Sequence, residues 1–198
     1  MTPSTALPHA DLAAPLALAT LRERARGRAA GALVMSFFGT WWIVSGLARS
    51  SWPAWSWGVL AAVVARIGVE ALRRRRAHPG VDEPLPAALV EQQRRANRIF
   101  WWTCAGEVLG ILVGVNLVAN LGHPDWQPAA VMLVVGLHFL PLAAAFRTRA
   151  HVVTGCALAA WALAYPALLA GGGLAPLGFV AGGAILLASA AWALRPVR

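Results

Sequence analysis

An all-α polytopic membrane protein is the fold class that this sequence predicts: six transmembrane helices arranged as three hairpins, with the N and C termini cytoplasmic. Three observations carry that expectation. Of the 198 residues, 59% are hydrophobic and 13% are charged, whereas soluble domains carry roughly 25% charged residues. The apolar residues fall into six blocks, each close to the ~20 residues that a helix needs to cross a bilayer. Between the blocks, connections rich in arginine alternate with connections that hold almost none.

Residues 1–28 read as a cytoplasmic N-terminal segment. Leu12, Leu16 and Leu21 recur at near-helical spacing beside Arg22, Arg24, Arg26 and Arg28, the pattern of an amphipathic helix on the membrane surface. The basic cluster follows the weakly apolar part, the reverse of a signal peptide's order, so the first spanning helix is expected to direct insertion itself. Residues 29–198 form a single transmembrane domain. Its first span is "AGALVMSFFGTWWIVSGLA", 30–48, and its second covers 55–72, ending before Arg73 to Arg76. Pro79-Gly80 then ends the helix, and Asp82 and Glu83 stand where carboxylates favour a helix start. The third helix is therefore expected to begin in the cytoplasm, several turns before its span at 99–121. The remaining spans are 128–146, 150–169 and 175–194.

The formal charge of +9 invites a nucleic-acid reading, but placement argues against it. All 17 basic residues are arginine, and they cluster at the ends of the apolar blocks rather than along one face. That is the pattern that sets membrane orientation. It puts five arginine-bearing segments inside and leaves "RSSWPAWSW", "GHPDWQP" and "GGGLAP" outside, with Arg49 their only arginine. Trp52, Trp55, Trp57 and Trp126 in those outer turns read as an interfacial aromatic belt. The absence of lysine beside abundant Ala, Arg and Gly points to a GC-rich bacterial genome, hence to the bacterial cytoplasmic (inner) membrane. Anionic lipid headgroups are the partner that an arginine-rich inner face would attract. The common plan of the three hairpins hints at triplication, but their sequences share little identity.

Within the spans, Gly106, Gly110 and Gly114 share one ridge of the third helix, and small residues four apart let helices approach closely in lipid. This helix is expected to be central. The same motif can build a homo-oligomer. Gly178 and Gly182 repeat the spacing, and Gly39 and Gly46 thin the first span.

Four ionisable residues lie within apolar blocks: Arg66, Glu70, Glu107 and His138. Such residues are costly at bilayer depth and face the bundle interior or find partners. At a helical rise of ~1.5 Å per residue, Glu107 lies roughly 13 Å beyond Arg98, His138 roughly 13 Å before Arg147, and Arg66 roughly 10 Å before Arg73. Three charges from three helices thus share one layer, with Glu70 one turn nearer the cytoplasm on the face of Arg66. Ser36, Thr103 and Thr154 fall at similar depth, as do Cys104 and Cys156. The plainer alternative is an Arg66–Glu70 pair and a buried network that only fixes helix register. Pro141 removes a backbone donor three residues after His138 and is expected to kink the fourth helix, opening a small cavity in which Glu107 and Arg66 neighbour His138.

The stretch "VVGLHFLPLAAAFRTRAHVVTGCALAAWALAYP" resembles an uncharacterised family of small six-helix bacterial membrane proteins with a Gly-x-His-Phe-x-Pro pattern in the fourth helix. The matching residues are Gly136, His138, Phe139 and Pro141, followed by Gly155. The resemblance covers about one sixth of the chain and implies a six-helix fold and attention to His138, but no activity. The plan alone is also similar to acid-resistance membrane proteins with three helix pairs, although none of their residue patterns is present.

Three function classes follow. The first is a carrier or channel-like protein for a small solute or a proton, using the Arg66, Glu107 and His138 layer. The second is a non-catalytic accessory, stress-response or lipid-binding protein. The last is an intramembrane enzyme with His138, Glu107 and Cys104 or Cys156 as base and nucleophile, for which no motif exists. No cofactor motif and no metal-ligand spacing is present.

Overall fold

The computed structural model describes residues 10–77 and 87–195. The expected break at Pro79-Gly80, with Asp82 and Glu83, lies outside the described residues. Among those described, six helices account for the regular structure, with one short 3₁₀ turn before the fourth and another before the sixth. They are α1 (Ala10–Leu47), α2 (Trp55–Ala77), α3 (Ala87–Asn120), α4 (Gln127–Phe146), α5 (Arg149–Leu168) and α6 (Pro176–Ala193). All six are long and apolar enough to cross a membrane.

Two helices exceed a bilayer's needs. The 38 residues of α1 extend ~57 Å and the 34 of α3 ~51 Å, against a hydrocarbon core of ~30 Å. The boundary expected at residue 28, between a surface helix and the first span, is not a break. One continuous helix runs from Ala10 through Arg28 to Leu47. Pro15 removes one bond from the backbone ladder near the helix start, but Ala, Leu and Arg dominate the rest of the stretch to Arg28 and all are strong helix formers, so the helix continues. The extension of α3 ahead of its span, expected from sequence, is present from Ala87.

The helices form a row of contacts in the order α2, α1, α6, α5, α4, α3. The cross-helix contacts fix the directions. Arg28 reaches the carbonyls of Ala193 and Arg195 at 2.9 and 3.0 Å, and Gly39 meets Gly183, so α1 and α6 are antiparallel. Gly136 meets Ala159 while Phe146 approaches His151, so α4 and α5 are antiparallel too. The beginnings of α1, α3 and α5 therefore share one end with the C termini of α4 and α6. Arg74 of α2 lies near enough to Arg28 for their charges to interact at that end. Every described arginine stands there except Arg49 and Arg66.

Glycine decides which helices lie at the centre. A Cβ on Gly39 would fall 2.9 Å from the Gly183 carbonyl oxygen, and one on Gly183 would collide with the Gly39 oxygen. In the same way, Gly155 is pressed against the Gly136 oxygen, and Gly178 against the Tyr165 ring. The largest fully buried side chains, Met132, Leu158, Tyr165 and Leu186, all come from α4, α5 and α6. The expectation of a central α3 is corrected: its span has no buried residue, and Trp102 is 74% exposed. Of the ridge on α3, Gly110 meets Val134 and Gly114 meets Ala130, but Gly106 has open space. α6 is the central helix instead, packed between α1 and α5 and touching Met132 of α4 through Gly182.

Gly183→Val is expected to destabilise the fold by about 1–3 kcal/mol through overpacking at α1, whereas Gly106→Ala is neutral. Thermal unfolding of the two variants in detergent checks the contrast.

Candidate functional site

On α3 a half-buried stripe at 3–4 residue spacing, through Thr103, Glu107, Gly110 and Gly114, faces α4. Because the two helices run antiparallel and Gly110 sits on Val134, Glu107 falls one turn along, opposite His138. The imidazole Nδ1 of His138 lies 3.2 Å from Oε2 of Glu107. The side chains are 11% and 24% exposed, so the pair is covered but not sealed. The contact is an approach of two ionisable groups and not an aligned hydrogen bond, since Nδ1 has no hydrogen-bond partner. The sequence-based expectation that Glu107 neighbours His138 therefore describes the geometry.

A second histidine joins them. The ring of His138 stands edge-on to Phe139 at 5.8 Å, and Phe139 lies 5.5 Å from the ring of His151 in the first turn of α5. Phe146 closes the other side of His151 at 6.4 Å. The Nδ1 of His151 is also buried without a hydrogen-bond partner. Sequence reasoning missed this residue because it stands two positions after Arg149, where it reads as part of the basic turn. That turn is only two residues long and is made by Arg147 in a left-handed conformation (φ 50°), which folds α5 directly back on α4. The signal for His151 is the brevity of that turn.

The other expected members separate. Arg66 is exposed on α2, at the opposite end of the row from α3, and touches neither Glu107 nor His138. The depth expected from its sequence position matches theirs, but depth does not say which helices are neighbours. The expected Arg66–Glu70 pair is also absent. Glu70 instead accepts a 2.7 Å bond from Arg74, the residue one turn onward at the arginine-rich end. Thr103 donates to Ile99 O at 2.7 Å and Ser36 to Ala32 O at 2.8 Å, so both hydroxyls are satisfied within their own helices. Thr154 does more, lying 2.6 Å from the Ser189 hydroxyl of α6, a partner that sequence reasoning did not single out. Cys104 is half-buried one turn from Glu107, and Cys156 is exposed. Pro141 is exposed within α4, which continues past it to Phe146. The cavity expected at His138 is replaced by a helix seam. Two open grooves occur elsewhere: one of about 410 Å³ between the α3 extension and Phe146, and one of about 360 Å³ between α1 and α2. Among the described residues no three His, Cys, Asp or Glu side chains converge to hold a metal ion.

No protein-family model, curated protein or solved structure matches this chain. The site must be read from its own chemistry. Glu107 and His138 are both ionisable side chains and lie on separate helices. With one proton between them the pair carries no net charge, the state least costly at bilayer depth.

Ser189→Ala removes the one cross-helix hydroxyl partner of Thr154 and is expected to cost about 0.6 kcal/mol, the usual worth of such bonds in membranes. Equilibrium unfolding in mixed micelles measures it.

Proposed function

We propose that this chain is a multi-pass protein of the bacterial cytoplasmic membrane whose Glu107–His138 seam binds and passes on a proton or a small charged solute. The three hairpins point outward in this reading, with both termini cytoplasmic. The concentration of arginine at one end of the described helices supports that orientation. The observation that carries the function is the 3.2 Å approach of two ionisable groups on separate helices inside the spans.

The chemistry follows from charge balance. The singly protonated pair is neutral, whether the proton sits on the imidazole or the carboxylate. Loss of that proton leaves a net negative charge at a depth where charge is expensive. A cation entering the seam can restore neutrality, so proton release and solute binding become coupled. His138 suits the exchange because imidazole is the side chain that trades protons near neutral pH. His151, more than one turn nearer the arginine-rich end, offers a relay toward the aqueous side.

A second reading, a lipid-binding or accessory protein, has one observation in its favour. The groove between the α3 extension and the end of α4 combines Gln93, Arg94 and Asn97 with Phe100 and Phe146. A cation and amides beside two rings suit an anionic phospholipid, headgroup above and chain below. Retention of one phospholipid class through purification, lost in Arg94→Ala, would favour this reading over the first.

In proteoliposomes carrying an entrapped pH indicator, the wild-type chain is expected to pass protons under an imposed gradient. Glu107→Gln and His138→Ala should each slow that flux about tenfold or more, the usual effect of removing a positioned acid or base. Unchanged flux in both variants would overturn the assignment.

A further inference from the structure

Arg66 is the one charge in the spans that the fold leaves unexplained. It stands at the midpoint of α2, eleven residues from either end, and its side chain is exposed. It makes no hydrogen bond, ion pair or ring contact among the described residues. Trp55, Val59 and Arg73 share its stripe, and the buried residues Leu60, Ile67 and Ala71 lie about 100–140° away around the helix. The guanidinium therefore points out of the bundle. Helical side chains lean toward the helix N terminus, which here is the tryptophan-bearing end. Reaching the nearer, arginine-rich surface would require Arg66 to turn against that lean across roughly 10 Å of helix.

The other edge of the row carries a complementary acid. α3 is barer than α2, with no buried residue in its span, and Glu107 is the only acid at the corresponding expected depth among the described residues. Its Oε2 faces His138, while Oε1 accepts no hydrogen bond from any described residue. Beside it, Gly106 leaves open space with nothing within 4 Å. α2 descends toward the arginine-rich end and α3 rises from it, so two copies inserted the same way bring these helices together antiparallel, as neighbouring helices in this fold already are. We propose that the protein associates head to tail, with Arg66 on α2 of one copy completing the Glu107–His138 site on α3 and α4 of the next. The interface is heterologous, so repetition closes a ring or continues as a chain. The inference rests on Glu107 belonging to the site proposed above, and it adds a third member to that site.

Charge reversal tests it, read by subunit counting of fluorescently labelled full-length chains in dilute lipid vesicles. The wild type is expected to be oligomeric. Arg66→Glu alone sets two carboxylates against each other at every interface, and Glu107→Arg alone sets two guanidiniums against each other. Each is expected to weaken self-association by about tenfold or more. Mixing the two variants brings the introduced carboxylate on α2 of one against the introduced guanidinium on α3 of the other. The alternate interface keeps the native pairing of Arg66 with Glu107, so alternating assemblies should re-form. Arg66→Gln and Glu107→Gln, milder changes, should each weaken association in the same assay. A monomeric wild type would overturn the proposal and leave Arg66 to lipid phosphates. Association unaffected by either Gln variant would also overturn it, as would reversal variants that stay apart when mixed. None of these readouts uses flux, so a failure here is distinct from a failure of the proton-coupling assignment, which His138→Ala tests with Arg66 and Glu107 intact.

Discussion

The close approach of α1 to α6 at Gly39 and Gly183 is the contact on which the rest of the arrangement depends. In lipid no apolar burial drives helices together, so backbones that can touch become the centre of the bundle. Two such seams exist, Gly39 with Gly183 and Gly136 with Gly155, and both involve the last hairpin. Once α5 and α6 are held between α1 and α4, the remaining helices have nowhere to go but the edges. α2 attaches to α1 alone in any depth, and α3 to α4. The clasp of Arg28 on the final carbonyls of α6 secures the same seam at its end, where a cation also complements the helix dipole.

The position of the polar site is a consequence. Glu107 sits on an edge helix and His138 on its inner neighbour, so the pair occupies a seam with lipid on one side and protein on the other. A charge at the bilayer centre costs ~2.5–3.5 kcal/mol on insertion scales, and a neutral pair avoids most of that cost. The absence of an aligned hydrogen bond matters here. A well-made bond would fix the orientation of both side chains, which the unaligned 3.2 Å approach does not.

Much of this is legible in the residues, and the boundary between what is and is not is physical. Apolar block length gives the six helices, and counting from arginines along a fixed helical rise gives the depth of Glu107, His138 and Arg66. Both are one-dimensional properties of a helix. Which helix neighbours which is not. The glycines of α3 and those of α1 and α6 look alike as a pattern, yet Gly106 meets nothing while Gly183 meets a backbone carbonyl. The choice depends on the surfaces opposite: Val134 beneath Gly110 is bulky, and Gly39 opposite Gly183 is not. For the same reason the residues alone give Arg66 an expected depth and the wrong neighbours. Glu70 has an arginine one turn away on either side, and only the fold shows that it bonds to Arg74 rather than Arg66. Likewise, Ser189 is an ordinary serine until Thr154 is brought to 2.6 Å from it.

An open row of helices raises a question that an open sheet answers differently. The edge of a sheet presents unpaired backbone groups and recruits another strand whatever its side chains. A helix at the edge of a membrane bundle has every backbone bond made internally, so apolar edges such as Leu109 and Leu112 of α3 cost nothing in lipid. What makes an edge unstable in this setting is a charge. One edge of this row carries Arg66 and the other carries Glu107 beside His138, and the chain's own packing holds the two edges apart. The glycine seams that set the order of the row thus also determine that Arg66 cannot be neutralised by Glu107 of its own chain.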